Sequence, residues 1–381
     1  MTEAILLVGG QGTRLRPLTS HTPKPLLPVA GVPFLTHQLA RAAAAGITRI
    51  VFATSYLAEL FEEEFGDGSR LGLELEYVTE KTALGTGGAI RNAAERLRSA
   101  PDEPVLIFNG DILSGVDLAA LRESHRASGA DVTLHLKRVA DPRAFGLVPT
   151  DAEGRVQAFL EKPQTPEEIT TDQINAGCYV FTRSVIDRIP AGRVVSVERE
   201  TFPKLLATGA HLCGVVEDSY WLDLGTPAAF VQGSADLVRG LVTSPALPGP
   251  VGDALVLPGA EVHPSAVLSG GTVVAAGAVV GEGAVVEGSV LLAGARIDAR
   301  TSLHRSVVGR HAWIGEGSVL QAAVVGDGAH VAEGNELPPG LRIACGARLA
   351  AHAVRTSASP APCTSQGVAH SGVPHASSAA H

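Results

Sequence analysis

Aromatic side chains make up only 4% of this 381-residue chain, with two tryptophans and four tyrosines. So little aromatic surface argues against a protein that stacks nucleic-acid bases on flat rings. Positive charge is also in short supply: 30 Lys and Arg stand against 39 Asp and Glu, a formal net charge of −9. Such a chain has no general attraction for DNA, RNA or an anionic membrane, so an anionic ligand needs a local cluster of cations or a metal ion. Long apolar runs are missing too. No window approaches the roughly 18 consecutive apolar residues of a membrane span, and Met1 to Val8 reaches a glycine pair before a long apolar stretch can form. A soluble, cytoplasmic protein with neither nucleic-acid nor membrane partners is the expectation. The four cysteines, Cys178, Cys213, Cys345 and Cys363, lie far apart without metal-ligand spacing and read as buried small residues of a reducing compartment.

What is present is an ordinary globular composition, 45% hydrophobic and 18% charged, with 43 glycines for tight turns and close packing. The length suits two or three domains of about 100–200 residues. From Ala4 to about Val242 short β-like runs alternate with helical segments. Strands are expected at Ala4–Val8, Arg49–Thr54, Leu73–Val78, Val105–Phe108 and Val132–Val139, and helices at Phe34–Ala45 and Leu57–Phe65, each closed by a glycine. This alternation implies an α/β fold with a mostly parallel, Rossmann-like sheet, whose ligands bind beyond the carboxyl ends of the strands.

A Pro/Gly-rich stretch from Ser244 to Pro250 then interrupts the pattern. Beyond it Val262, Leu268, Val274, Val280, Val286 and Leu292 recur every six residues; Val308, Ile314 and Leu320 resume the step, and after a one-residue slip so do Val325, Val331, Leu337, Ile343 and Leu349. A six-residue period is the hexapeptide repeat of a β-helix, irregular here only across 296–307. The expected division is 1–242 an α/β domain, 243–254 linker, 255–352 β-helix and 353–381 a disordered Ser/Ala/Pro/His tail. Stacked flat coils make ready subunit interfaces, so a homo-oligomer is expected.

The segment Gly9-Gly10-Gln11-Gly12-Thr13-Arg14 directly follows Val8 at the end of the first strand and can bring bare backbone N–H groups against a ligand. A glycine-rich turn is structural as often as it binds phosphate, and this one fits neither the P-loop nor the dinucleotide fingerprint. Its continuation sharpens the reading: Pro17, Pro23, Pro25 and Pro28 stiffen a loop that carries Lys24, and Arg14 with Lys24 makes a clamp for a polyphosphate. Asp111 ends the apolar run Val105–Phe108, which puts its carboxylate at the ligand edge of the sheet. Lys162 follows an apolar strand and precedes Pro163, so its ammonium can project toward a second anion.

Gly9–Arg14 with Pro23-Lys24-Pro25 closely resembles the signature of the sugar nucleotidyltransferases, also called nucleotide-sugar pyrophosphorylases. Further matching motifs are Leu84-Gly85-Thr86-Gly87-Gly88, Asn109-Gly110-Asp111, Phe159-Leu160-Glu161-Lys162-Pro163, Asn175-Ala176-Gly177 and Trp221-Leu222-Asp223-Leu224-Gly225-Thr226-Pro227. The resemblance covers roughly Ala4 to Leu241 and is strongest to the mannose-1-phosphate guanylyltransferases, many of which carry a C-terminal left-handed β-helix. It implies that a sugar 1-phosphate attacks the α-phosphorus of a nucleoside triphosphate, most readily GTP with mannose 1-phosphate, and that pyrophosphate leaves. It further implies that Asp111 and Asp223 hold Mg²⁺, that Lys162 meets the sugar phosphate, and that Glu161, Asn175 and backbone near Gly146 and Gly177 hold the sugar hydroxyls. Gly85, Thr86 and Asn109 fall on the nucleotide side, and Glu80 falls where this family reads the base.

Other readings stay open at this point. Another pyrophosphorylase, using dTTP or UTP with glucose 1-phosphate or GTP with a different sugar or pseudo-sugar phosphate, would need the same clamp. A silent nucleotide-sugar sensor would share the fold but would not need both metal carboxylates. Some hexapeptide β-helices are acyltransferases with a catalytic histidine, for which His263, His304, His311 and His330 are the candidates. Nothing resembles a Ser-His-Asp or Cys-His nucleophile, which fits direct displacement.

Overall fold

The computed structural model describes residues 2–55 and 57–355. Apart from a small hairpin of Pro28–Val29 with Val32–Pro33, the strands of the first part are β1 (Glu3–Leu7), β2 (Arg49–Thr54), β3 (Glu74–Thr79), β4 (Pro104–Asn109), β5 (Ile112–Ser114), β6 (Val132–Arg138), β7 (Gly146–Leu147), β8 (Leu160–Glu161), β9 (Gln173–Thr182), β10 (Leu212–Val216) and β11 (Trp221–Asp223). The helices are α1 (Phe34–Ala44), α2 (Glu59–Phe65), α3 (Gly85–Ala93), α4 (Leu118–Ser128), α5 (Arg183–Ile186), α6 (Phe202–Ala207) and α7 (Pro227–Val238). The expected strands and the two expected helices therefore form within two residues of their predicted limits.

The main sheet runs β8-β7-β9-β4-β1-β2-β3, with β6 paired to β9 and β10. The stretch β4-β1-β2-β3 is parallel, as a chain alternating strands and helices requires. The ten-residue β9 runs antiparallel to β4 and β6, and a register shift between Asn175 and Tyr179 loosens its pairing with β6. One apolar cluster fills each face: Ile5, Ile107, Tyr179 and Phe202 on one, Leu6, Phe52, Leu106 and Val180 on the other. Adjacent residues of the same strands alternate between the two clusters, as a period of two dictates.

From Ala254 to Leu349 the chain winds through three parallel sheets of six, six and five strands. Val256 pairs with Val274, an 18-residue coil, but Val274 pairs with Leu291, Val280 with Ile297, and Leu291 with Val308, coils of 17. The hexad reading is corrected at one place: Leu291, not Leu292, takes the inward position, and Leu292 packs outward against the α/β part. The stretch 296–307 is regular, because Ile297 and Leu303 continue the inward column. The slip seen after Leu320 recurs at one corner in successive coils, at Val286 to Leu291 and at Leu303 to Val308. The tail expected at 353–381 lies outside the described residues from 356 onward, as does Cys363. Of the other cysteines, all free, Cys178 is buried, whereas Cys213 and Cys345 are only half-buried, contrary to expectation. Among the described residues no helix is long and apolar enough to cross a membrane.

The β-helix does not stand apart from the α/β part. Helix α7 lies on it so closely that a Cβ at Gly271 would sit 2.6 Å from the Ala235 Cα. One apolar cluster joins Phe230, Leu237 and Val238 of α7 to Val273, Val290, Val307 and Val324 of the coils.

Candidate active site

At the carboxyl ends of β1, β2 and β4 the chain leaves the sheet and opens a cleft of about 430 Å³. Its walls include Val8, Gly9, Gly10, Gly12, Thr13, Arg14, Lys24, Glu80, Gly85, Thr86, Asn109 and Asp111. Every residue expected on the nucleotide side is thus in one cavity, although they come from five separate stretches of sequence. Gly110 explains part of this convergence: its N–H donates to the Leu7 carbonyl at 2.8 Å, and a Cβ there would strike that carbonyl at 2.8 Å. Only a residue without a side chain lets β4 bring Asp111 so close to the end of β1.

A second cavity of about 180 Å³ adjoins the first and is lined by Gly146, Glu161, Lys162, Asn175, Gly177 and Asp223, again with Asn109 and Asp111. The whole expected sugar-side set is here. Phe145 and Trp221 meet edge to face at 5.3 Å between ring centroids, and the Trp221 indole N–H donates to the Ala176 carbonyl at 2.9 Å. The Asn175 amide donates to the Tyr179 hydroxyl at 2.7 Å and its carbonyl accepts from the Gly177 N–H at 3.0 Å, so the side chain is held rigidly. Lys162 adopts a left-handed conformation, φ 53°, immediately after the two-residue β8, and its ammonium lies 3.3 Å from Glu161 Oε1.

Between the cavities stands a compact charge cluster. Lys24, only 9% exposed, puts its Nζ 2.9 Å from Asp111 Oδ2 and 3.5 Å from Asp223 Oδ1, and Arg14 Nη2 reaches Asp223 Oδ2 at 3.7 Å. The two carboxylates are neighbours because β5 and β11 pair antiparallel, Asp223 opposite Ile112, and because the Leu224 N–H donates to the Asp111 carbonyl at 3.0 Å. Asp223 Oδ1 is buried and has no hydrogen-bond partner. A buried hard oxygen whose one charged neighbour is the Lys24 ammonium at 3.5 Å, beside a second carboxylate, suits a hard divalent cation. Among the described residues there is no group of three or more His, Cys, Asp or Glu placed for a metal, so the remaining ligands of such an ion would have to be water and substrate oxygens.

Glu80 follows β3 and closes one wall of the first cavity. Its Oε2 accepts from the Leu84 N–H at 3.2 Å, whereas Oε1 is buried without a partner. Burial pushes its carboxyl above the usual range, against the opposing pull of that N–H. The segment Gly85-Thr86-Gly87-Gly88 forms the first turn of α3. Gly87 and Gly88 donate to the Val195 carbonyl at 2.9 and 3.2 Å, so these N–H groups are already satisfied within the protein.

Several residues of the site carry no sequence signal. Ser55, whose hydroxyl donates to the Gly9 carbonyl at 2.6 Å, lines the first cavity. Glu198 lines the second cavity from a π-helical turn at Val197–Thr201. The four histidines weighed for a second activity are engaged separately: His263 with Ser265 at 2.8 Å, His304 with Glu287 at 3.3 Å and His330 against Trp313 at 3.9 Å between rings, while His311 occupies a coil corner at φ 54°.

Comparison with known proteins agrees with this geometry. Residues 250–337 match the family described as GMPPB C-terminal domain. The chain is 56% identical over 304 residues to the mannose-1-phosphate guanylyltransferase of Mycobacterium tuberculosis, covering 80% of this chain and 83% of that one. It is 40% identical over 314 residues to the mannose-1-phosphate guanylyltransferase catalytic subunit beta of Drosophila melanogaster, covering 81% and 84%. Among solved structures it is similar to HddC from Yersinia pseudotuberculosis, with 26% identity and a TM-score of 0.53 over 61% of this chain and 98% of that one. Residues 3–240 match the nucleotidyl transferase family, and with more than half of the chain inside that match, the chain belongs to it.

Proposed function

We propose that the chain joins GTP and mannose 1-phosphate to give GDP-mannose and pyrophosphate. The observation that carries this reading is the shared wall: Asn109 and Asp111 line both cavities, so a triphosphate in one and a sugar phosphate in the other meet at the Lys24–Asp111–Asp223 cluster. The 56% identity to a mannose-1-phosphate guanylyltransferase supports the substrate pair.

The reaction brings two anions together, so positioning and charge neutralisation supply most of the rate. An oxygen of the sugar phosphate attacks the α-phosphorus in line; the new P–O bond forms as the bond to the β-phosphate oxygen breaks, and that oxygen leaves with pyrophosphate. The attacking oxygen is already ionised, so no general base is needed. Arg14 and Lys24 hold the triphosphate, and Lys162 offsets the charge of the incoming phosphate. Asp111 and Asp223 would hold Mg²⁺, which when bound draws negative charge from the phosphate oxygens. Asn175, Glu161 and the backbone at Gly146 and Gly177 offer polar atoms to the sugar hydroxyls.

Glu80 supports guanine as the base. Guanine presents two adjacent donors, N1–H and the 2-amino group, and one carboxylate accepts from both in a charge-assisted pair. Thymine and uracil present one N–H between two carbonyls, so a carboxylate there faces oxygen on either side. The test is pyrophosphate release with Mg²⁺ and a panel of triphosphates and sugar 1-phosphates. GTP with mannose 1-phosphate is expected to give the highest kcat/KM; no release with any pair would contradict the reading and favour a sensor.

A further inference from the structure

We infer that the β-helix positions the triphosphate clamp, through two arginines that hold the loop between Arg14 and Lys24 from behind. Arg342 Nη1 donates to the Arg16 carbonyl at 2.8 Å, and Arg310 Nη1 donates to the Thr22 hydroxyl at 3.3 Å. Each anchored residue lies two positions from a clamp cation. Arg310 is itself fixed, since its guanidinium lies 3.3 Å from Asp327 Oδ2 and its backbone N–H donates to Asp327 Oδ1 at 2.7 Å. Between the two anchors Cys345 Sγ approaches the Pro17 carbonyl at 3.6 Å. Leu15 and Leu18 of the loop are buried in one cluster with Leu292, Val307 and Val324 of the coils.

The loop has no regular strand or long helix of its own to fix it, only a three-residue 3-10 turn at each end, Thr13–Leu15 and Lys24–Leu26. Its cations therefore take their place from what packs against the loop, and the β-helix supplies part of that support beside Phe34, Leu113, Leu224 and Phe230 of the α/β part. Arg310 and Arg342 are positioning residues: neither lines either cavity, and both act through the backbone or side chain of the loop. Displacing a binding group by about an ångström costs up to ~100-fold in rate, so loosening these anchors affects the triphosphate side of the reaction selectively.

This inference rests on the nucleotidyl-transfer reading of the site, so its test combines kinetics with a readout independent of turnover. In the full chain, Arg310→Ala with Arg342→Ala is expected to raise KM for GTP and lower kcat, together by about 10–100-fold in kcat/KM. KM for mannose 1-phosphate and the thermal unfolding midpoint should stay near wild type. Thr22→Val should reproduce part of the loss and Thr22→Ser should restore it. Hydrogen–deuterium exchange, measured without substrate, should become faster in peptides spanning residues 13–27. Wild-type exchange in that segment overturns the inference whether or not the protein turns over. So does faster exchange with unchanged GTP kinetics, or an equal loss for both substrates that tracks a lowered unfolding midpoint. Absence of turnover in the wild type itself would instead count against the proposed reaction.

Discussion

The Thr86 hydroxyl donates to Glu198 Oε2 at 2.9 Å and joins the two cavities, because Thr86 lines the first and Glu198 the second. The same hydroxyl accepts from the Val197 N–H at 2.9 Å, so one side chain ties the first turn of α3 to the π-helical turn that carries Glu198. Thr86→Val keeps the shape and removes both bonds. A net hydrogen bond is worth about 1 kcal/mol, so with both bonds lost kcat/KM for both substrates should fall by roughly 5–30-fold. Steady-state pyrophosphate release with each substrate varied in turn checks this; a loss confined to one substrate would show that the two cavities are not coupled here.

Glu80 carries a pH prediction. Burial holds its carboxyl above the usual range, so over a window just above that range the folded protein binds a proton that the unfolded chain has released. Stability from this group therefore falls as pH rises through the window. Guanine binding needs the ionised form, so KM for GTP should fall as pH rises through the same window. Glu80→Gln should flatten that dependence and narrow the preference for GTP over dTTP or UTP by about 10–100-fold, the worth of a charged hydrogen-bond pair. An unchanged nucleotide ratio in the variant would remove Glu80 from base recognition.

Gly225 shows how little room surrounds the clamp. A Cβ there would lie 2.7 Å from Arg14 Cζ and 2.9 Å from Asp223 Oδ1. Gly225→Ala should push the Arg14 guanidinium off Asp223 and raise KM for GTP by about tenfold, in line with a displacement well under an ångström. Because Arg14 is exposed and can swing away, the unfolding midpoint should change little. Titration of GTP at saturating mannose 1-phosphate, alongside a thermal melt, separates the two effects.

Much of the fold and of the site is legible in the amino-acid sequence, for reasons that differ from place to place. The strands from Glu3 to Arg138 stand out as short apolar runs between glycine-closed helices, and the glycines at the end of β1 mark where backbone must approach a ligand. The inward column Val274, Val280, Val286 holds in the structure because each hexad repeats its own local demand. Leu292 passes for the inward residue in place of Leu291 because both are apolar and both are buried, one inside the coil and one against its neighbour. Glu198 and the Arg342–Arg16 contact leave no trace in sequence. Each depends on segments more than a hundred residues apart, and neither end imposes a spacing on its own neighbours. The antiparallel course of β9 is hidden for a related reason: a buried strand has the same apolar pattern in either direction.

The central claim is that Asp111 and Asp223 together serve the transfer of the nucleotidyl group at the junction of the two cavities. Mg²⁺-dependent formation of GDP-mannose from GTP and mannose 1-phosphate, compared between the wild type and the single variants Asp111→Asn and Asp223→Asn, tests it most directly. Each variant should remain folded, with an intact thermal transition, and lose about 10²–10³-fold in kcat, the loss expected when a charge partner of the transition state is removed. Turnover near the wild-type rate in both folded variants would contradict the account.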